Sequence, residues 1–134
     1  MLNLSNENIL LFSNKVEIKP LSVNQCWQGK RFKTKEYSAY EKEVLLKLKS
    51  HKITIDGPIE LNLMVGLSNM ASDADNVVKP FVDILQKKYK FNDKYIFRLV
   101  VEKILVAKGA EFIEFFMKSY EPSHYVVAKK KNTI

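Results

Sequence analysis

The chain has 134 residues, a net charge of +7, 46% hydrophobic residues, and only four glycines and four prolines. This size and composition indicate one globular domain and exclude a disordered or low-complexity protein. A single cysteine, Cys26, excludes an internal disulfide and a thiolate metal site. No apolar run is long enough to span a membrane, and the first residues lack the pattern of a signal peptide, so we expect a cytoplasmic protein.

Three regular elements are predicted in the first half of the chain. Residues 16–22 are expected to form a first strand. Residues 36–48 are expected to form an amphipathic helix, because apolar side chains recur along one stripe. The stripe comprises Tyr37, Tyr40, Val44 and Leu48. Strict alternation of apolar and polar residues then predicts a half-buried strand over residues 59–67.

A second helix is predicted after this strand. Pro80 limits where it begins, because proline is tolerated in the first turn but removes a hydrogen bond further in. The regular helix should therefore begin near Val77, with Asp75 or Asn76 as its capping residue.

The last two elements are apolar runs at residues 95–106 and 111–118, which predict an antiparallel hairpin. The element order is then β-α-β-α-β-β. We therefore predict an α/β fold of the α+β type, in which a single compact domain contains a mixed sheet and two helices.

Acidic residues cluster around the second helix, which is unusual in so basic a chain. Asp73 and Asp75 lie two residues apart just after a strand, so their side chains can converge on one cation. Asp93 follows in a short connection before the next strand, and we expect the chain to return it to the end of the sheet where Asp75 lies. One cation could then contact all three carboxylates.

The helix itself adds three polar side chains to this cluster. At helical spacing, Asn76, Lys79 and Asp83 share one face. Lys79 is a cation among acids, where a phosphate oxygen can be held. We expect Asn76 to orient a ligand or bind phosphate, and Asp83 to act in a second shell or as a pairing partner of Lys79.

These residue types suit phosphodiester hydrolysis. Carboxylates bind Mg²⁺ or Mn²⁺, hard cations that prefer oxygen ligands. We assign Asp73, Asp75 and Asp93 as catalytic metal ligands, with Lys79 stabilising the charge that develops on the phosphate.

Simpler explanations exist for each of these residues. An Asx turn with a helix cap accounts for one of the first two aspartates, and an ion pair along the helix accounts for Lys79 with Asp83. A calcium loop of the EF-hand type is excluded, because counting from Asp73 its sixth position is Val78 and its twelfth is Ile84.

Positive charge is concentrated in residues 15–52, which contain ten Lys or Arg against four Glu. The densest part interleaves basic and aromatic side chains: Lys30, Arg31, Lys33 and Lys35 with Trp27, Phe32 and Tyr37. Basic side chains neutralise phosphates and exposed aromatics stack on unpaired bases, so we interpret this segment as a nucleic-acid contact. The alternative is a solvated loop whose aromatics anchor it to the core.

The spacing of the acidic residues resembles the motif of the RusA family of Holliday-junction resolvases. That motif is Asp-x-Asp-Asn, then Lys and Asp on the same helix, then a further Asp before a strand. An upstream match is PLSVN, residues 20–24, followed by the basic and aromatic stretch; it adds Asn24 to the expected DNA contacts. The resemblance covers residues 16–120, leaving residues 1–15 as an N-terminal extension and residues 121–134 as a basic tail.

The resemblance implies a homodimer that binds four-way DNA junctions. Such an enzyme is a metal-dependent endodeoxyribonuclease that resolves the junction by paired symmetric nicks in DNA recombination and repair, and it is often encoded by a phage or prophage. Mg²⁺ is the implied cofactor, with Mn²⁺ as a substitute.

Two other functions fit the same residues. One is a non-catalytic nucleic-acid-binding module that uses only the basic segment. The other is a Mg²⁺-dependent nuclease acting on flaps or other branched DNA. Neither a Walker A loop nor a GxGxxG turn is present, so no nucleotide cofactor is expected.

Overall fold

A four-stranded mixed sheet forms the centre of the computed structural model, which describes residues 10–29 and 32–123. Its strands are β1 (Leu10–Val16), β4 (Ile59–Leu67), β5 (Ile96–Leu105) and β6 (Phe112–Ser119), in the spatial order β1-β6-β4-β5. Two short strands, β2 (Trp27–Gln28) and β3 (Phe32–Lys33), form a separate hairpin. The helices are α1 (Lys35–Lys47) and α2 (Asp75–Tyr89). The predicted fold class and element order are confirmed, with the hairpin as an addition.

Both helices share one hydrophobic core with alternate residues of β4 and β6. Helix α1 buries Tyr37, Tyr40 and Val44 along the predicted stripe. Strand β4 has the predicted bounds, and its apolar positions are buried because the side chains of a strand alternate between its two faces. The periodic patterns therefore located these two elements correctly. Within the described ranges, no helix is long and apolar enough to cross a bilayer.

The first strand lies earlier than predicted, at Leu10–Val16 rather than at residues 16–22. It pairs antiparallel with β6, at the edge of the sheet. The residues that follow it instead lead into a short 3₁₀ helix, Val23–Gln25, which a capping box between Ser22 and Gln25 begins. Most of β1 falls in the segment predicted as an N-terminal extension, so that segment supplies an edge strand.

The predicted hairpin of the last two strands is wrong. Strand β4 lies between them, pairing in parallel with β5 and antiparallel with β6. The connection over residues 106–111 is long enough to cross one intervening strand, since neighbouring strands lie about 5 Å apart. Helix α2 is therefore the crossover of a β-α-β unit formed with β4 and β5.

Glu41 on α1 joins three elements. Its carboxylate pairs with Lys33 of β3 at 3.0 Å and with Lys87 of α2 at 2.8 Å. Burial alone would raise the pKa of the Glu41 carboxyl, but hydrogen bonds from Lys87 and Lys33 outweigh burial and hold this pKa below its ordinary value of 4.5. The ionised carboxylate thus stabilises the packing of α1 against α2 and the hairpin.

Glu41→Gln should therefore lower the free energy of unfolding by about 1 kcal/mol at pH 7. Because the pKa is lower in the folded state, this contribution is present above pH 4.5 and lost as the pH falls below it. Urea unfolding at pH 7 and at acidic pH measures the difference. Glu43→Gln is the control, since among the described residues Glu43 forms only an exposed pair with Lys47 on the same helix. Equal losses in the two variants would contradict this role of Glu41.

Candidate active site

The acidic motif begins in the loop of residues 68–74, which leaves β4 and enters α2. The Asn69 side chain accepts a hydrogen bond from the Ala71 N–H at 2.9 Å, which forms an Asx turn. The Ser68 hydroxyl donates to Glu111 at 2.7 Å and ties the loop to the start of β6. A turn within the loop and one contact to Glu111 therefore set the course of the loop before Asp73.

Helix α2 begins two residues earlier than predicted, at Asp75, and its capping position is Ala74 with no side-chain cap. The prediction gave too much weight to Pro80, which lies inside the helix and is buried. Its missing N–H removes one hydrogen bond, and packing of the buried helix face compensates. Asp75 and Asn76 are therefore helical residues of the first turn instead of caps.

An apolar cavity of about 630 Å³ lies between α2 and β5. Three polar side chains of the motif line it: Asp75, Lys79 and Asp93. The rest of the lining is Ala74, Val78, Val82, Ile96, Leu99 and Val101. Two carboxylates and one ammonium thus share a mostly apolar space.

Lys79 is the centre of this group. Its Nζ lies 2.9 Å from Asp83 Oδ1 and 3.9 Å from Asp93 Oδ2. The hydrogen bond to Asp83 raises the pKa of Lys79, and the charges of Asp83 and Asp93 add to this effect. The Lys79 side chain remains 61% exposed, so a ligand can reach the ammonium. Asp83 takes the position of a pairing partner along the helix.

A second, polar cavity of about 430 Å³ lies on the other side of the first turn of α2. Asp73 and Asn76 line it, and the Asn76 amide approaches Asp73 Oδ2 at 3.5 Å. Pro20 and Ser22 of the PLSVN segment line the same cavity. The two sequence segments that carry the family resemblance, distant along the chain, therefore meet here.

We expected Asp73, Asp75 and Asp93 to meet at one end of the sheet. The structure does not bring them together there. Asp73 and Asp75 follow the end of β4, whereas Asp93 precedes the start of β5. Because β4 and β5 are parallel, these points lie at opposite ends of the strand pair. Within residues 10–29 and 32–123, no group of three or more His, Cys, Asp or Glu is arranged to hold a metal ion.

The donor chemistry still suits magnesium at the apolar cavity. Mg²⁺ is usually held by one or two carboxylates together with waters and substrate phosphate. Asp75 and Asp93 both line this cavity, and each is a carboxylate of the kind that binds Mg²⁺. The assignment of three aspartate ligands stays a prediction.

The basic hairpin presents two different faces. Trp27 pairs with Lys33 across the strands, and both contact Tyr37 of α1. Gln28 pairs with Phe32 on the opposite face, where Phe32 is 72% exposed. Trp27 therefore fits the interpretation of a loop anchored by its aromatic residues. Phe32 fits the interpretation of a nucleic-acid contact, because its ring is free to stack.

The predicted DNA contacts surround this hairpin. Asn24 is exposed in the 3₁₀ helix, and Lys35 is exposed at the first turn of α1. Lys33 is partly engaged by Glu41. Lys30 and Arg31 lie outside the described residues, as does the end of the basic tail.

Comparison with family models gives a match to Endodeoxyribonuclease RusA over residues 19–114. The chain belongs to the RusA endodeoxyribonuclease family. The resemblance inferred from the acidic motif is thereby confirmed. No curated protein sequence matches the chain.

The RusA match spans both cavities and the basic hairpin. All six polar residues of the motif, from Asp73 to Asp93, fall within it. Strand β1 and the end of β6 lie outside. The part of the chain that matches the RusA family therefore carries every described residue that lines the candidate site.

Gln86 is a residue of the candidate site that the sequence did not predict. Its side-chain oxygen accepts a hydrogen bond from the Asp93 N–H at 3.0 Å, and its amide approaches Asp83 Oδ1 at 3.4 Å. Gln86 thus fixes the backbone of Asp93 to α2. The helical spacing that grouped Asn76 with Asp83 continues three residues on to Gln86, so the same pattern could have identified it.

Proposed function

We propose that this member of the RusA family is a Mg²⁺-dependent endodeoxyribonuclease that resolves four-way DNA junctions by paired symmetric nicks. The observation that carries the proposal is that Asp75, Lys79 and Asp93 line one accessible cavity. Anionic and cationic groups side by side suit a phosphodiester and a divalent cation together. A role in DNA recombination and repair, in a host or a phage, follows from such an activity.

Each residue has a distinct part in the proposed reaction. Asp75 and Asp93 would hold the Mg²⁺, which would supply charge neutralisation and activate water. Lys79 is charged at neutral pH, its pKa being raised further by the hydrogen bond to Asp83, and it can donate hydrogen bonds to the scissile phosphate as negative charge develops. Asp73 and Asn76 line the polar cavity on the other side of the first turn of α2, where Asp73 would be a further metal ligand and Asn76 would orient a ligand or bind phosphate.

The hairpin is proposed as the main DNA contact outside the active site. Asn24 and Lys35 flank it, and Lys30, Arg31 and Lys33 belong to it by sequence. Support comes from the exposure of the hairpin and from the outward position of Phe32.

Replacing Lys30, Arg31 and Lys33 together with alanine should weaken junction binding and make it less sensitive to salt. Each lost phosphate contact removes about one released counterion, so the slope of log affinity against log salt should fall by about 2 to 3. Fluorescence anisotropy at several salt concentrations, in EDTA to prevent cleavage, measures this slope.

The control removes the same charge from exposed lysines elsewhere on the described surface. These are Lys42, Lys52 and Lys108. A slope that changes equally in both triple variants would show that the hairpin acts only through the total charge of the protein.

A homodimer is part of the proposal, because a two-fold substrate suits two identical active sites. The exposed edge strand β5 supports it. Strand β5 pairs only with β4 in the described sheet, so its other edge is open to a second copy of the chain, and it exposes apolar side chains on both faces of the sheet. These are Phe97, Leu99, Val100 and Leu105.

Incubation of the purified protein with a synthetic four-way junction, a flap and a linear duplex tests the proposed function. We expect cleavage of the junction with Mg²⁺ and none with EDTA. A supercoiled plasmid bearing a cruciform should become linear without accumulating nicked circles if paired nicks occur in one binding event. Preferential cleavage of the flap would favour a different branched-DNA nuclease. Junction binding without cleavage in Mg²⁺ or Mn²⁺ would favour a non-catalytic module.

A further inference from the structure

Lys103, near the end of β5, contacts the loop that delivers the acidic motif. Its ammonium donates hydrogen bonds to two backbone carbonyls, those of Met70, at 2.6 Å, and of Ser72. Ser72 directly precedes Asp73, and Met70 lies three residues before it. One side chain therefore holds the backbone at two points immediately before the first acid.

The partners of this lysine are unusual. The ion pairs found among the described residues do not include Lys103, so its charge is directed at neutral carbonyls. A lysine has three N–H donors, and here two of them are used on the same short loop. Hydrogen bonds from a charged donor are stronger than neutral ones. Such an arrangement restrains backbone more than it balances charge.

The base of this contact is rigid. Lys103 lies in a regular strand and is in register with Val65 of β4, which is fully buried. The loop, by contrast, exposes Asn69, Met70 and Ala71. The lysine therefore ties a loop that has few buried side chains to a rigid strand of the sheet.

We propose that Lys103 is a positioning residue for the nuclease reaction. It fixes the path of residues 70–72 so that Asp73 and the first turn of α2 face their two cavities in one geometry. This inference rests on the proposed function, because its catalytic consequence requires the aspartates to act on DNA. Displacement of a catalytic group by even 1 Å can cost a large factor in rate.

The test compares Lys103→Met, Lys103→Arg and the control Lys52→Met. Lys103→Met keeps the length of the side chain and removes its donors, whereas Lys103→Arg keeps charge and donors. Lys52 is exposed and lies in neither cavity lining nor the hairpin. Single-turnover cleavage at saturating junction should fall about 10- to 100-fold in Lys103→Met, as expected for loss of a group that orients a catalytic residue. Lys103→Arg should recover most of this loss, and junction affinity in EDTA should stay within about twofold.

Hydrogen–deuterium exchange supplies a readout that does not depend on activity. Residues 69–74 should exchange faster in Lys103→Met than in the wild type or Lys52→Met, while the strands stay protected. Unchanged exchange in this loop, or cleavage at the wild-type rate, would overturn the proposal. If the wild type itself does not cleave, the proposed function fails, while the exchange experiment still decides whether Lys103 holds the loop. If Lys103→Met does not fold, Lys103→Gln and Lys103→Arg provide the same comparison, and equal exchange in these two variants would overturn the proposal.

Discussion

Asp75→Asn is expected to abolish strand cleavage while leaving junction binding intact. The substitution removes one negative charge at the apolar cavity and keeps the size of the side chain. Within the described residues, the Asp75 carboxylate has no hydrogen bond or ion pair, so its loss should leave folding stability within about 0.5 kcal/mol. Loss of a metal ligand should lower the cleavage rate by on the order of 10³-fold or more.

The affinity for the junction should not fall together with the cleavage rate. Removing an acid next to DNA lowers repulsion of the phosphates, so affinity in EDTA should be unchanged or slightly higher. Single-turnover cleavage and anisotropy on the same junction measure the two effects. Asp56→Asn is the matched control, because Asp56 is an exposed aspartate outside both cavities. Cleavage by Asp75→Asn within tenfold of the wild type would remove Asp75 from the proposed chemistry.

Phe81→Ala should lower the free energy of unfolding more than any other substitution proposed for this protein. Phe81 lies in the middle of α2 with no exposed surface, and its ring centroid is 6.0 Å from that of Phe115 on β6. Truncation leaves a cavity under the helix that carries Asp75, Lys79 and Asp83. Substitutions of this kind cost about 3 to 5 kcal/mol.

Urea unfolding of Phe81→Ala measures this cost. Leu46→Ala is the control, because Leu46 is also a large apolar residue of a helix but is 77% exposed. We expect the control to change stability by less than about 0.5 kcal/mol. If Phe81→Ala costs no more than the control, α2 is not fixed by its packing on β6, and the site geometry derived from that packing fails with it.

The sequence was sufficient to locate an element where one apolar periodicity, helical or extended, runs through the whole segment. Strand β4 and helix α1 each bury a regular apolar stripe, so periodicity located them, and helical spacing linked Lys79 to Asp83. The start of α2 was predicted too late because the sequence shows the local cost of Pro80 in a helix. The packing that offsets this cost is visible only in the folded chain. Periodicity also cannot say which strands are neighbours, which is why β5 and β6 were paired directly.

The candidate site was predicted better in its members than in its arrangement. Residue types and spacing identified the aspartates and Lys79. The separation of Asp93 from Asp73 and Asp75 along the strands follows from the parallel pairing of β4 with β5, which is a property of topology. Gln86 and Lys103 act through backbone groups, and a contact to a backbone amide or carbonyl leaves little trace in the pattern of side chains.

The pairing of β1 with β6 has a consequence for the order of folding. The first described strand of the chain finds its partner in the last, more than 90 residues later. During synthesis, β4, α2 and β5 can assemble as one local unit, whereas the edge formed by Leu10–Val16 must wait until Phe112–Ser119 has emerged from the ribosome. Closing so long a loop is slow relative to local contacts. Strand β1 is therefore the last part of the sheet to be added. Until it is added, the edge of β6 that it covers is open to pairing with other chains.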